Sequence, residues 1–312
     1  MSDLAFAQSL HARPSANKFA NGSHLTSDFV QQQNSICDFN SSDSWVILSP
    51  IEQSIKRKIE AIGTPLKDWD IQINYGIKTG FNDAFIISTE KRNEILANCK
   101  TEDERQRTAE LIRPILRGRD IKRYGYVDNG LYLINTHNGV RGHIPRIKIE
   151  DYPAVKAHLD QYWDRIATRA DKGDTPYNLR NCAYLEDFSK QQIVWIELSD
   201  DPKFALAEKI MSVNTVFFMT GEHILHLLGL LNSKLITWYF RHCIGTTSGV
   251  GTNRWLKYTI EQIPMAPVSS KLEDLSFHIS KNYDDDKNQE IDLYVCRLYN
   301  LNEEEVSHII SQ

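Results

Sequence analysis

Apolar residues recur along this chain with two different periods. In "SPIEQSIKRKIEAIG", Ile51, Ile55, Ile59 and Ile62 return every three or four residues and predict a helix, with Ser49 suited to its N-cap, Pro50 to its first turn and Glu52 to a capping box. "WDIQINYG" and "AFIIST" are rich in β-branched and aromatic residues and punctuated by Gly76 and Gly80, which predicts two short strands bracketing a turn. A helix is expected from roughly Glu102 to Leu116. A hairpin follows in "RYGYVDNGLYLINT", where Asn129-Gly130 separates two aromatic-aliphatic runs.

Val155, Leu159, Tyr162, Trp163 and Ile166 share one helical face. "QQIVWIELS" and "NTVFFMT" read as strands and "ILHLLGLLNSKLITWYF" as a buried helix, while Ile291, Tyr294, Val295 and Leu298 mark a last amphipathic helix over Glu290–Tyr299. Strands and helices alternate without a βαβ rhythm or an internal repeat, so the expected fold class is α+β, with mixed strands, an N-terminal helix and a C-terminal helical segment. Three regions are expected: a loosely ordered lead-in over 1–43, a main domain over 44–268, and helices over 269–312 that pack on that domain or on a partner. The lead-in is rich in Ser, Asn, Gln and Asp and buries too little surface to offset its ordering entropy.

The chain's 312 residues are 41% hydrophobic and 25% charged, enough for one large core or two modest ones. A formal net charge of -5 gives no bulk cationic field, so any nucleic-acid partner must meet a local patch. The five cysteines, Cys37, Cys99, Cys182, Cys243 and Cys296, never form a C-x-x-C pair and read as reduced, mostly buried thiols of a cytoplasmic protein. No stretch approaches 18 apolar residues, which points away from membrane insertion.

Enzymatic signatures are weak. "GTTSGVGT", Gly245 to Thr252, lacks the lysine and spacing of a P-loop and does not fit a nucleophile elbow, so it reads as a flexible loop. His223 and His226 lie among leucines and suit a helix face better than a metal site. Asp120-Ile121-Lys122, with Asp103 upstream, matches the end of a metal-dependent nuclease motif, but such a site needs its carboxylates on a core strand. Asp201-Pro202-Lys203 is weaker still, because proline breaks that strand geometry.

Basic residues are concentrated in "RQRTAELIRPILRGRDIKR". Arg105, Arg107, Arg113, Arg117, Arg119, Lys122 and Arg123 face only two acids, Glu110 and Asp120. Taken alone, such a run is a solvated surface with ordinary ion pairs. Here a glycine turn and the interleaved Tyr124 and Tyr126 favour a DNA-facing loop, since arginine forks suit phosphates and guanine edges. "GIKTGFN" admits two readings, a hairpin turn with incidental polar residues or a phosphate-holding turn using Lys78, Thr79, Asn82 and exposed backbone N–H groups.

"INYGIKTGFNDAFII", "IRPILRGRDIKRYGY", "LYLINTHNG" and "YPAVKAHLDQYWDRIATRADKGDTPYNLRNCAYLEDFSKQQIVWIEL" occur in that order and are followed by "LLGLLNSKLITWYF", "NRWLKYTIEQIPMAP" and "EIDLYVCRLYNLNEEEV". Together, from about Trp45 onward, they resemble the C-terminal specificity (target recognition) domain of TaqI-like and type IIG restriction-modification methyltransferases.

The resemblance implies a module that reads double-stranded DNA beside an adenine-specific methyltransferase using S-adenosylmethionine, and often beside a nuclease. The chain lacks the N-P-P-[YF] tetrapeptide of such a methyltransferase and the glycine turn that holds the methyl donor. No cofactor is therefore expected on this chain, S-adenosylmethionine belonging to a separate or missing methyltransferase domain, and the chain is not expected to be an enzyme by itself.

Three readings stand: a DNA recognition module serving a methyltransferase or endonuclease, a nuclease using Asp120 and Lys122, and a protein-interaction or regulatory derivative with acidic stretches such as "YDDDKN". The first is the expectation. Its DNA-facing candidates are Lys78, Thr79, Asn82, Arg117, Arg119, Lys122, Arg123 and Arg141, followed by Arg180 and Arg254.

Overall fold

A computed structural model describes residues 48–245, 247–248 and 252–312. The expected lead-in over 1–43 and much of the Gly245–Thr252 loop lie outside the described residues. In chain order the principal elements are helix α1 (Pro50–Ile62), strands β1 (Ile71–Tyr75) and β2 (Ile86–Ser88), helices α2 (Thr89–Ala97) and α3 (Glu102–Leu111), and strands β3 (Ile112–Leu116) and β4 (Leu131–Ile134). Helix α4 (Pro153–Asp160) follows, then strands β5 (Gln191–Ile196), β6 (Ala205–Glu208), β7 (Met211–Ser212) and β8 (Val216–Gly221). The chain ends in helices α5 (Ile224–Asn232), α6 (Lys234–Tyr239), α7 (Ser270–Lys281), α8 (Asp285–Leu298) and α9 (Glu303–Ile310). The fold is α+β.

Two four-stranded sheets carry the domain. One runs β1-β8-β5-β6 and is antiparallel throughout. The other runs β2-β4-β3-β7, with a parallel pairing between β3 and β7. The inner strands β5 and β8 are buried on both faces, which is why they read as unbroken apolar runs rather than alternating ones. Ile77, Phe85, Ile115, Leu133, Val155, Val194, Met211 and Phe218 belong to one continuous core reaching both sheets.

Several local expectations change once strand partners are known. The strands around "GIKTG" do not form a hairpin: β1 pairs with β8 and β2 with β4, so the segment between them crosses from one sheet to the other. Asn129-Gly130 is not a hairpin tip either, because β4 pairs with β2 and β3; the Asp128 carboxylate instead accepts from the Gly130 N–H at 2.9 Å and closes a local turn. The helix expected to reach Leu116 stops at Leu111. A proline at 114 would clash with the carbonyl four residues back, and Pro114 instead sits where β3 hands its pairing from β4 to β7.

The apolar face over Val155–Ile166 is split between α4 and a short helix Trp163–Ile166, and Trp163 is left 44% exposed although Val155, Leu159 and Ile166 are buried. The long apolar helix breaks at Ser233, which ends α5 and caps α6 by accepting from the Ile236 N–H at 3.3 Å. Helix α7 is an element that the apolar pattern did not suggest.

The helices after residue 269 pack on the domain itself. Helix α7 lies along α5, Asp292 of α8 accepts the Lys234 N–H at 2.7 Å, and the Tyr299 hydroxyl donates to the Pro264 carbonyl at 2.7 Å. Buried Glu305 of α9 receives Ser54 at 2.7 Å and Lys58 at 2.5 Å, joining α9 to α1. Among the described residues, no helix is long and apolar enough to cross a membrane, and Cys99, Cys182, Cys243 and Cys296 are free thiols. Of these four, Cys296 alone is fully buried.

Candidate nucleic-acid interface

Between β7 and β8 the chain makes a tight turn, closed by a hydrogen bond from the Val216 N–H to the Val213 carbonyl at 2.9 Å. Asn214 and Thr215 form its exposed tip. The base of the turn is held on three sides: the Val213 N–H donates to Leu116 at 3.0 Å, Gly76 donates to Val216 at 2.9 Å, and Ile77 donates to Ser212 at 2.7 Å. Gly76 must be glycine here, because a Cβ would lie 2.1 Å from the Val213 carbonyl oxygen. The next residue, Phe217, stacks on Trp195 at 5.5 Å and meets Tyr75 at 4.8 Å.

A cleft opens on each side of this turn, and Asn214 lines both. The first, of about 650 Å³, is walled by Arg119, Lys122 and Lys203 with Ile196, Leu198 and Thr215. Arg119 reaches it because Gly118 crosses close to β5, where a Cβ would stand 2.9 Å from Ile196 Cγ2. Arg119 and Lys203 are exposed and, among the described residues, form no ion pair. Among the described residues, the Lys122 ammonium bonds only the Arg119 carbonyl, at 3.4 Å.

The second cleft, of about 520 Å³, is lined by Lys78, Arg180, Asn181 and the half-exposed Tyr75. Asp171 sits between the two cations, 3.0 Å from Lys78 and 3.4 Å from Arg180. Both walls are tied from behind by Arg169, a buried guanidinium that donates to the carbonyls of Thr79, Asp171 (3.1 Å), Pro176 (3.1 Å) and Asn178 (2.6 Å) and lies over the Phe85 ring. Burial pushes Arg169 down to about 10, yet it stays charged at neutral pH.

The structure therefore brings Lys78, Arg119, Lys122 and Arg180 to one turn. The other candidates have different surroundings. Thr79 is buried and donates to Asn82 at 2.6 Å, so its hydroxyl stabilises the turn while Asn82 stands exposed at the start of a short helix. Arg117 makes a two-pronged contact with Asp120, at 3.1 Å for each prong. Arg123 turns away to donate to the Asn232 carbonyl, in a small cavity with Lys234 and Trp238. Arg254 pairs with Glu197 at 2.6 Å on the rim of the first cleft, and Arg141 is exposed on a separate turn.

Asp120 is buried and accepts from the Arg117 backbone N–H, the Arg117 guanidinium and Asn129. Burial alone would raise its pKa, but these bonds hold its carboxyl below the usual range. It thus lies in a closed structural turn rather than on a core strand, and Asp103 is engaged by Arg107 on an exposed helix face. Among the described residues, no group of three or more His, Cys, Asp or Glu is placed to hold a metal. His226 is buried against Trp69 and bonded to Ala266 at 3.0 Å, and His223 contacts Glu273 at 3.1 Å.

Sequence reasoning missed Tyr75, Arg169, Asn181, Lys203, Asn214 and Thr215. Only the short polar step "NT" between "MSV" and "VFFM" hinted at an exposed turn; Lys203 was visible but set aside for its neighbouring proline.

The type IIL restriction-modification enzyme MmeI, solved in complex with DNA, has a similar fold: TM-score 0.53 at 13% identity, covering 80% of this chain and 37% of MmeI. The type IIG restriction endonuclease BpuSI is also similar, with TM-score 0.46 and 12% identity over 83% of this chain and 34% of the enzyme. The chain thus spans little more than a third of either. Residues 113–265, which hold Arg119, Lys122, Arg180, Lys203 and Asn214, match the TaqI-like C-terminal specificity domain, and that is the family this chain resembles.

Proposed function

We propose that this chain is the DNA target recognition module of a restriction-modification system, binding double-stranded DNA across the two clefts that meet at Asn214. The observation that carries the reading is the convergence of Arg119, Lys122, Lys203, Lys78 and Arg180 on one rigid turn in a chain of net charge -5. Cations concentrated around a groove supply the salt-sensitive, sequence-independent part of DNA affinity, and polar tips between them supply readout. The specificity-domain match and the likeness to an enzyme solved with DNA support it.

On this reading the module does not cut or methylate DNA. Methyl transfer and cleavage belong to a methyltransferase or endonuclease that it serves, and S-adenosylmethionine is held there. The Asp120 geometry favours this over a nuclease, because its carboxylate is committed to Arg117 and Asn129.

The test is fluorescence anisotropy of the chain against random duplex pools, from about 50 to 200 mM salt, with and without Mg²⁺. Binding that weakens steeply with salt, enriches one sequence and leaves DNA intact is expected. No binding at the lowest salt would overturn the reading, and cleavage with Mg²⁺ would replace it by the nuclease.

A further inference from the structure

We infer that the Asn214–Thr215 turn is a reading finger, and that Asn214 recognises an adenine edge in the major groove of duplex DNA. The inference rests on the proposed DNA-binding role and names the residue and base within it.

Three observations combine. First, the tip is polar and unused: Asn214 and Thr215 are exposed and, among the described residues, neither side chain has a hydrogen-bond partner. By contrast, the buried amides of Asn178 and Asn232 are engaged, each making several bonds. Second, the tip is rigid at its root, with backbone bonds to Leu116, Gly76 and Ile77 and the Trp195-Phe217-Tyr75 stack immediately behind it. A side chain on such a mount loses little further entropy when it engages a base. Third, the tip is flanked on both sides by cations, Arg119, Lys122 and Lys203 on one, and on the other Lys78 and Arg180, which share the single carboxylate of Asp171 and keep a net positive charge.

A groove of duplex DNA has the complementary layout, with a row of phosphates on either side of the base edges. With the cations on the two phosphate rows, the element between them faces the bases. An asparagine amide there can donate one of its N–H groups to adenine N7 while its carbonyl oxygen accepts from the N6 amino group in the major groove. The Thr215 methyl suits contact with the thymine methyl of the same base pair.

The experiment is sequence selection from a random duplex pool by the full chain, repeated with Asn214→Ala, Asn214→Asp and Lys203→Ala, each checked for an unchanged urea midpoint. The wild type is expected to select a site containing an A·T pair at which Asn214→Ala loses roughly 5- to 150-fold of its preference, the range of one good side-chain-to-base contact. Asn214→Asp, of the same shape, should fold alike and shift that position toward C·G, because a carboxylate accepts from the cytosine amino group. Lys203→Ala should weaken all sequences alike. If the wild type selects a site and Asn214→Ala selects the same site with the same preferences, or if the relaxed position is G·C, the finger assignment is overturned while the recognition role stands. If the wild type selects no sequence, the recognition role itself fails, before any variant is compared.

Discussion

Polar side chains in this protein fall into two regions that look alike in the sequence and behave oppositely in the structure. Behind the clefts, Arg169, Asp120 and Asn232 are buried and each is bonded to several partners. At the cleft surface, Arg119, Lys203 and Asn214 are exposed and, among the described residues, have no side-chain partner. A buried polar group left without partners is costly, so the rear set is committed to the fold. The surface set contributes little to folding and is free for a ligand. The contrast is sharpest within a few residues: Arg117 and Arg123 hold the protein together while Arg119 and Lys122 face the cleft.

Substitutions can break this division. The largest effect is expected for Arg169→Leu, which removes the guanidinium from four backbone carbonyls, of which Asn178 keeps the Gly173 N–H, and should cost about 4 kcal/mol, read as a fall in urea midpoint. Asn232→Ala follows at about 3 kcal/mol, since its amide spans Phe204 and Leu228 and no other side chain replaces it. Asp120→Asn should cost about 2 kcal/mol by weakening the Arg117 turn, and DNA affinity should fall only as far as Arg119 is displaced. A surface-like response of any of the three, with the midpoint unmoved, would merge the two regions.

pH offers a milder probe of the rear set. Burial lowers the pKa of His137, His158 and His226 from the ordinary 6.5. The unfolded chain therefore binds more protons than the folded one below that value, and stability should be full above about pH 6.5 and decline as pH falls through it. A urea midpoint that stays level from pH 7 to pH 5, approximately, would contradict this. His226→Gln should flatten part of the decline.

The smallest effect on stability is expected at the cleft. Arg119→Ala and Lys203→Ala should change the stability read from the midpoint by no more than about 0.5 kcal/mol. Where either side chain neutralises a phosphate, its removal should make the slope of log affinity against log salt shallower by about 0.9. An unchanged slope in both variants would remove them from the interface.

Much of the fold was legible in the residue order. The helix at Pro50–Ile62, the strands at 71–75, 191–196 and 216–221, and the α+β class follow from local period and composition, because burial of one face or both imposes that pattern directly. The hairpin expected at Asn129-Gly130, and the hairpin turn that was one of two readings of "GIKTG", fail for one reason. Turn chemistry says that the chain bends, not which strand it will pair with, and that partner lies far along the chain, as for β2 with β4 and β1 with β8. Similarly, the long helix ending at 116 ignored what Pro114 could do in a strand whose pairing changes partner.

What the sequence by itself determined is the fold class and the elements with a clear apolar period, such as α1, β1, β5 and β8, together with the arginine-rich stretch and the resemblance carried by its ordered motifs, all of which are local properties of residue type and spacing. What only the tertiary structure decided is which charges are engaged and which are free. Arg117, Arg119 and Arg123 are equivalent as letters; their roles diverge because Asp120 and Asn232 bond two of them and Gly118 turns the third into a cleft. Asn214 carried almost no signal, since its position between two cationic clefts arises from β7 and β8 belonging to different sheets and from cations drawn from positions 78 to 203. Electrostatic and hydrogen-bonding roles depend on distance, and distance across the chain is set by packing rather than by sequence order.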